Sequence, residues 1–424
     1  MPVREEPASI GQRMLWLIDR HRGDQGALNY PVLVRARGPL DEARLRDALE
    51  AVVARHEGLR TTFARRRGLL TQLIHEPAPA CLARRDLGTA PDPGAALRDG
   101  LAAEIAGRID PTEWPSRVTL WRLGADDHVL CLNVHHLVTD AWSCGVLLGD
   151  LLQALGGGPP LPRVGWQYRH YVRWQRGQLS ADRLRPHRDY WQARLADLQL
   201  SALPLRDAGD GATAGRSGTA RTVVAGAVAD GLRRLARGHQ TTLFTVLLSV
   251  YYALLHRATA QTDVAIASLF ANRTRPETMR TIGFFANLVI LRTRFDPRAP
   301  FTDLLRRARA TVGEAQVHQQ LPYYLLSQEA LRAGDRRADE VVFQMLPEIP
   351  PPLAVGGLDV EVLLPEVASR FDLELAVVPR GGGLDVLLQY SRRRVDDAWA
   401  ARFAADYAAL AARVAAAPDL GLAG

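Results

Sequence analysis

The stretch Asn133-Val-His135-His136-Leu-Val-Thr-Asp140-Ala141-Trp142-Ser143 decides how this chain is read. Before it, residues 128–134 alternate apolar and polar in the manner of a half-buried strand. After it, the apolar residues of Gly145-Val-Leu-Leu-Gly-Asp-Leu-Leu-Gln-Ala-Leu155 recur at helical spacing. The histidine pair therefore falls where a strand ends and a loop begins, a place that holds an imidazole rigidly yet leaves it reachable. Adjacent residues leaving a strand point to opposite sides, so only one of His135 and His136 can face a cavity and the other is structural. A neutral imidazole near pH 7 can orient or deprotonate an incoming amine or hydroxyl. If Asp140 is buried, it needs a cationic partner or several donors, and it then holds the loop in shape. The bland alternative is a satisfied structural pair with no chemistry. A metal set of His135, His136 and Asp140 fits poorly, because adjacent histidines diverge and no further ligand cluster lies nearby; no metal is expected.

Further segments extend the pattern. The run HHLVTDAWS resembles the HHxxxDG signature of the condensation domains of nonribosomal peptide synthetases. Ser9-Ile-Gly-Gln12-Arg-Met-Leu-Trp16-Leu17 resembles that family's opening SxAQxRLWxL, and Arg55-His56-Glu57-Gly-Leu59-Arg60-Thr61-Thr-Phe63 resembles RHExLRTxF. Tyr168-Arg-His-Tyr171-Val-Arg-Trp174-Gln175 is similar to YxDYAxWQ, and Ile282-Gly283-Phe-Phe285-Ala-Asn287-Leu288 to IGxFVNT. His318-Gln319-Gln-Leu321-Pro322-Tyr323 resembles HQxxPF, and Ser369-Arg370-Phe371-Asp372-Leu373 a late motif around FDL. These motifs keep the family order along nearly the whole chain. Two departures stand out: Ala141 replaces the motif glycine, and Leu288 replaces a threonine. Glycine lets a backbone approach a substrate closely, so Ala141 is expected to narrow the site or shift the loop. The His135-to-Asp140 spacing also fits the H-x-x-x-x-D of glycerolipid acyltransferases, but those proteins usually carry membrane segments.

The resemblance implies an α+β fold of two chloramphenicol acetyltransferase-like lobes, a V-shaped pseudo-dimer with a central tunnel. Residues 1–177 would form the N-terminal lobe with the HHxxxD motif, and 178–424 the C-terminal lobe with bridging loops. It implies an acyltransferase in which an acceptor amine attacks an acyl thioester, with His136 catalytic. His135, Asp140 and Arg292 would be its structural support, Arg292 pairing with Asp140. Ala141, Trp142, Ser143 and Asn287 would line the substrate tunnel. No cofactor is expected on the chain itself. The implied partners are donor and acceptor peptidyl carrier proteins, whose phosphopantetheine arms deliver the substrates, and possibly neighbouring synthetase domains. Ester formation, transfer to a soluble acceptor, and a catalytically silent recruitment domain remain as alternatives within the family.

Composition bounds these readings. With 424 residues the chain is long enough for two lobes, and 47% hydrophobic with 23% charged residues is the balance of a globular protein. No run of about 18 apolar residues is present, so no membrane span is expected. No apolar leader follows Met1, and Cys81, Cys131 and Cys144 show no metal spacing, which points to a cytoplasmic protein with reduced thiols. All 53 basic residues are arginine and the net charge is +7. The arginines are dispersed without aromatic interleaving, so nucleic acid is not expected, whereas a basic surface suits an acidic carrier protein. Expected helices cover Asp41–Glu57, Arg183–Leu198, Thr241–Ala258, Phe301–Gln316 and Asp396–Ala416. Expected strands cover Tyr30–Arg37, Ser116–Leu123, Asp263–Phe270, Asn287–Phe295 and the hairpin Leu373–Val378 with Leu384–Tyr390. Ala208–Gly218, rich in Gly, Ala, Ser and Thr, is expected to be a flexible loop.

Overall fold

A computed structural model describes residues 2–22, 28–203, 217–327, 331–333, 336–365, 367 and 369–421. The loop expected at Ala208–Gly218 lies outside the described residues up to 216; Ser217 opens the strand Ser217–Val224. The chain forms two compact units. The first joins Met1–Ser180, Ala271–Ala286 and Pro350–Val367; the second joins Ala181–Phe270, Asn287–Ile349 and Ala368–Gly424. This differs from a single cut at 177. Leu353–Val355 and Leu358–Leu363 return to the first unit because they extend its sheet, with Val360 pairing with Ala36 and Val362 with Val34.

Each unit shows the expected α/β layering. In the first, six strands run in the order Leu353–Val355, Leu358–Leu363, Asn29–Arg37, Asp127–His135, Ser116–Gly124, Leu82–Asp86. All neighbouring pairs are antiparallel except the last, which is parallel. A separate three-stranded sheet joins Pro2–Pro7, Leu69–His75 and Thr61–Arg66. In the second unit the order is Asn287–Arg294, Asp263–Phe270, Val341–Met345, Leu373–Arg380, Gly383–Ser391, Ser217–Val224, and Val341–Met345 runs parallel to both neighbours.

The strand that leads to the histidine pair is central and buried on both faces, rather than half-buried. Leu130, Leu132 and Val134 pack into a core with Leu45, Leu49 and Val52 of the helix Glu42–Arg55 and Leu147 and Leu151 of the helix Ala141–Leu155. Val129 and Cys131 face the other way, onto Leu33, Trp121 and Leu97 of the helix Pro93–Ala106. The polar alternate position, Asn133, is fully buried, but its Nδ2 donates to the carbonyl of Glu104 at 3.0 Å. The second face is therefore largely apolar as well, and a helix not expected from the sequence, Pro93–Ala106, covers it. Among the described residues no helix is long and apolar enough to cross a membrane.

This packing predicts a contrast. Leu132→Ala should lower unfolding stability by about 2–5 kcal/mol, the usual cost of emptying a closed core. Leu69→Ala, at a side chain 58% exposed, should change it by less than about 0.5 kcal/mol. Denaturant melts of both variants check this, and equal midpoints would mean that the sheet is not the stability centre of the first unit.

Candidate active site

The strand Asp127–His135 ends at the first histidine of the pair. The His135 N–H donates to the Pro115 carbonyl at 2.8 Å, the His136 N–H to Leu28 at 2.7 Å, and the Val138 N–H turns back to the His135 carbonyl at 3.0 Å. Leu137 and Val138 are sunk in the core at 0% and 1% exposure, so the loop is anchored by its own apolar side chains. His135 Nδ1 accepts the Leu137 N–H at 3.1 Å. The proton of the neutral ring must then sit on Nε2, 3.6 Å from the Asp19 carboxylate. His135 is occupied within the loop. The His136 ring lies with Nδ1 2.6 Å from the Thr139 carbonyl, which can only accept. Nδ1 therefore carries the proton, and in the neutral ring Nε2 carries the lone pair. Tyr30 and Phe284 stand edge-on to this ring at centroid distances of 5.5 and 5.2 Å.

Asp140 is 2% exposed and caps the helix Ala141–Leu155 from an extended backbone. Its Oδ1 accepts the Ser143 N–H at 2.8 Å, the preferred role of an N-cap carboxylate. Oδ1 also takes Nη2 of Arg273 at 3.1 Å, and Oδ2 takes the Phe285 N–H at 3.0 Å. The expected partner, Arg292, is thus replaced by Arg273. The reason lies in the strand that starts at Asn287: five residues at about 3.3 Å rise carry Arg292 roughly 16 Å along it. There it meets Asp263 at 2.6 and 2.8 Å and the carbonyls of Arg194, Ala196 and Asp197. Sequence offers little to single out Arg273 among so many arginines, since its contact with Asp140 spans 133 positions.

The Arg273 guanidinium is spent on structure. Nη1 donates to the carbonyls of Thr278 and Thr281, Nη2 donates to Ser143 Oγ at 2.7 Å as well as to Asp140, and the Phe285 ring lies 4.1 Å below. Burial pulls its pKa down, and Asp140 opposes that pull. Ser143, expected on a tunnel wall, is fully buried: its hydroxyl donates to the Gly283 carbonyl at 2.8 Å and accepts the Gly283 N–H at 3.1 Å. Trp142 is 42% exposed and anchors its indole N–H on the Met279 carbonyl at 2.9 Å. Ala141 begins the helix and is not among the residues with left-handed φ, so the backbone conformation there does not demand glycine. In the second unit, Asn287 uses its whole amide on one segment. Nδ2 donates to Gln319 and Leu321, each at 2.8 Å, and Oδ1 accepts the Tyr323 N–H at 3.0 Å.

One N-terminal motif residue reaches the same loop, and Tyr168 ties the N-terminal motif to the segment of Phe284. Gln12 is 1% exposed; its Nε2 donates to the Leu137 carbonyl at 3.0 Å, and its Oε1 accepts the Ser9 N–H at 2.9 Å. Tyr168 donates to the Phe284 carbonyl at 2.5 Å and meets Ser9 Oγ at 2.9 Å. Burial raises the Tyr168 phenol far above its ordinary pKa, so it stays a donor. Burial likewise pushes the Cys144 thiol up to about 12, which removes it as a nucleophile near neutral pH.

The chain as a whole resembles known proteins. The chain belongs to the condensation domain family, whose model matches residues 4–423. Chondramide synthase cmdD of Chondromyces crocatus is 32% identical over 431 residues; the alignment takes in 97% of this chain and 11% of that protein. Phosphinothricin tripeptide synthetase PhsC of Streptomyces viridochromogenes is 34% identical over 439 residues, with 98% of this chain and 40% of that protein aligned. The chain therefore spans less than half the length of either relative. The X-domain from teicoplanin biosynthesis, also solved in complex with OxyB, is 25% identical with a TM-score of 0.83, covering 98% of this chain and 96% of its own. The first condensation domain of the calcium-dependent antibiotic synthetase, solved with a substrate analogue, shares the fold at a TM-score of 0.85 and 20% identity, covering 100% of this chain and 98% of its own.

Asp140→Ala and Arg273→Ala should each cost about 3–5 kcal/mol, because each leaves a buried charge unpaired. The double variant should cost less than the two singles added, since the second change removes the orphan left by the first. Chemical denaturation of the four proteins measures the coupling; additive losses would show that the two charges do not depend on each other.

Proposed function

We propose that this condensation domain forms an amide bond, with His136 as the group that receives the amine proton. A donor acyl group arrives as a thioester on the phosphopantetheine arm of one carrier protein, and the acceptor amine arrives on a second. The amine nitrogen attacks the carbonyl carbon, the C–N bond forms, the C–S bond breaks, and the thiol leaves with a proton. The observation that carries this reading is the His136 tautomer. The hydrogen bond from Nδ1–H to the Thr139 carbonyl leaves the lone pair on Nε2, as a base for an ammonium or a neutral amine requires. An α-amine has an ordinary pKa near 8, so a useful share is neutral at pH 7, and holding it against the carbonyl contributes more than base strength does. His135, Asp140 and Arg273 support the loop, and Trp142 is the motif residue most open to a ligand. Soluble acceptors would use the same geometry: an amine attacks through the same nitrogen, and an alcohol attacks through oxygen to give an ester.

A second reading rests on the likeness to the teicoplanin X-domain, which was solved with OxyB bound. By that reading the chain recruits a partner enzyme and makes no bond.

The purified domain, given an acyl-loaded carrier and an amine-bearing acceptor, should yield the amide. His136→Ala should lower the rate by roughly 10²–10⁴, the range for a lost acid/base group, with an unchanged melting temperature. Product formation by that variant at the wild-type rate would remove His136 from the reaction. A wild-type domain that makes neither amide nor ester, yet binds a partner enzyme stably, would favour recruitment.

A further inference from the structure

Glycine stands at position 11, where the pattern SxAQxRLWxL has alanine. Gly11 lies in the first turn of the helix Ile10–Arg22, and alanine is the better helix former, so local propensity does not select it. Space does. A methyl group at position 11 would lie 2.7 Å from Cε1 and 2.9 Å from Cδ1 of Phe284. Phe284 occupies the position that IGxFVNT leaves open, so the pattern does not dictate the ring that meets this gap. The Phe284 ring stands edge-on to His136, with centroids 5.2 Å apart and planes at 85°.

The Phe284 backbone cannot retreat from such a clash. Its carbonyl accepts Tyr168 Oη at 2.5 Å, and the next N–H is held by Asp140 at 3.0 Å. Tyr168 is in turn fixed by Ser9 Oγ, which also accepts the Gln12 N–H at the start of the same helix. The atoms met are those of the ring, which is the part of Phe284 free to give way, and His136 is one of its neighbours. The hydrogen bond from His136 Nδ1 to the Thr139 carbonyl fixes one point of the imidazole, and the rings packed beside it bear on its tilt. Phe284 and Tyr30 both stand edge-on to it, at centroid distances of 5.2 and 5.5 Å.

We infer that Phe284 is a positioning residue for His136, and that Gly11 is the gap that lets its ring stand there. Phe284 touches no reacting atom in this assignment; it sets the direction of Nε2. The inference rests on the reading of His136 as the proton acceptor.

The test compares wild type, Gly11→Ala, Phe284→Ala and the double variant. Three readouts are taken on each: kcat and acceptor KM for amide formation, the melting temperature, and the His136 ring signals in long-range 1H–15N spectra, assigned with His136→Ala. Gly11→Ala should lower kcat by about tenfold or more while acceptor KM stays within about twofold, as expected for misaimed rather than lost groups. Its His136 signals should shift. The double variant should be no slower than Phe284→Ala alone, because without the ring the added methyl has nothing to displace. Wild-type kcat and ring signals in both single variants, with only the melting temperature changed, would overturn the inference and leave a packing role. If Gly11→Ala does not fold, Phe284→Ala decides by the same two readouts. If wild type itself makes no product, the amide reading fails separately, and the ring signals still decide whether Phe284 and Gly11 set the imidazole.

Discussion

One buried carboxylate organises the motif. Asp140 is charged and almost wholly out of water, which costs several kcal/mol unless its lone pairs are met. They are met by three groups from three places: the Ser143 N–H at a helix start, the Phe285 N–H, and the Arg273 guanidinium. The helix dipole adds to the first of these. Each donor has a direction, so the carboxylate fixes an angle as well as a contact. The segment Ala271–Ala286 is held to the motif helix by Asp140 and Ser143 together, and through Phe285 and Phe284 the same restraint reaches the ring beside His136.

A hydrophobic replacement for the ion pair could fill the same volume, and in other proteins such exchanges have been neutral or stabilising. It could not reproduce the connectivity. Arg273 ties four acceptors at once: Asp140, Ser143 Oγ and the carbonyls of Thr278 and Thr281. These carbonyls lie in a loop with little regular structure, and without a donor they would be buried and unmet. Arginine suits this role because its planar fork offers several donors in a fixed geometry and keeps its charge when desolvated.

Much of the scaffold was legible in the sequence. The strand Asp263–Phe270 falls at its expected bounds, and the last helix, expected over Asp396–Ala416, spans Asp397–Ala416 with Asp396 as its cap. What escaped has physical causes. The helix Pro93–Ala106 is alanine-rich with no concentrated apolar face, so periodicity does not reveal it. The hairpin from Thr61–Arg66 to Leu69–His75 turns through Arg67 and Gly68, both at positive φ, and arginine in such a place hides the usual turn signal. The return of Leu358–Leu363 to the first sheet is a choice of distant partner, which no local pattern encodes. At the site, the local roles were readable: Asp140 as a loop holder and one histidine turned to structure. The identity of Asp140's cation was not. Arg292 and Arg273 are equal in composition, and only the direction of the strand after Asn287 separates them.

The same reasoning explains why Ala141 is tolerated in place of the motif glycine. In this loop the special conformations are not at position 141, which is ordinary helix, and the close approaches are elsewhere. Gly283 is the position where a side chain has no room: a methyl there would overlap the Tyr168 ring. Gly58 is similar, with the Ile282 carbonyl 3.0 Å from where its Cβ would be. Gly283 belongs to the segment that presents Phe284 and Phe285, and Gly58 packs against it at Ile282. The demand for small residues thus follows the crowded side of the loop, where the ring next to His136 is set. The helix start keeps only the demand for a cap, which Asp140 meets, and any helix-forming residue can follow it.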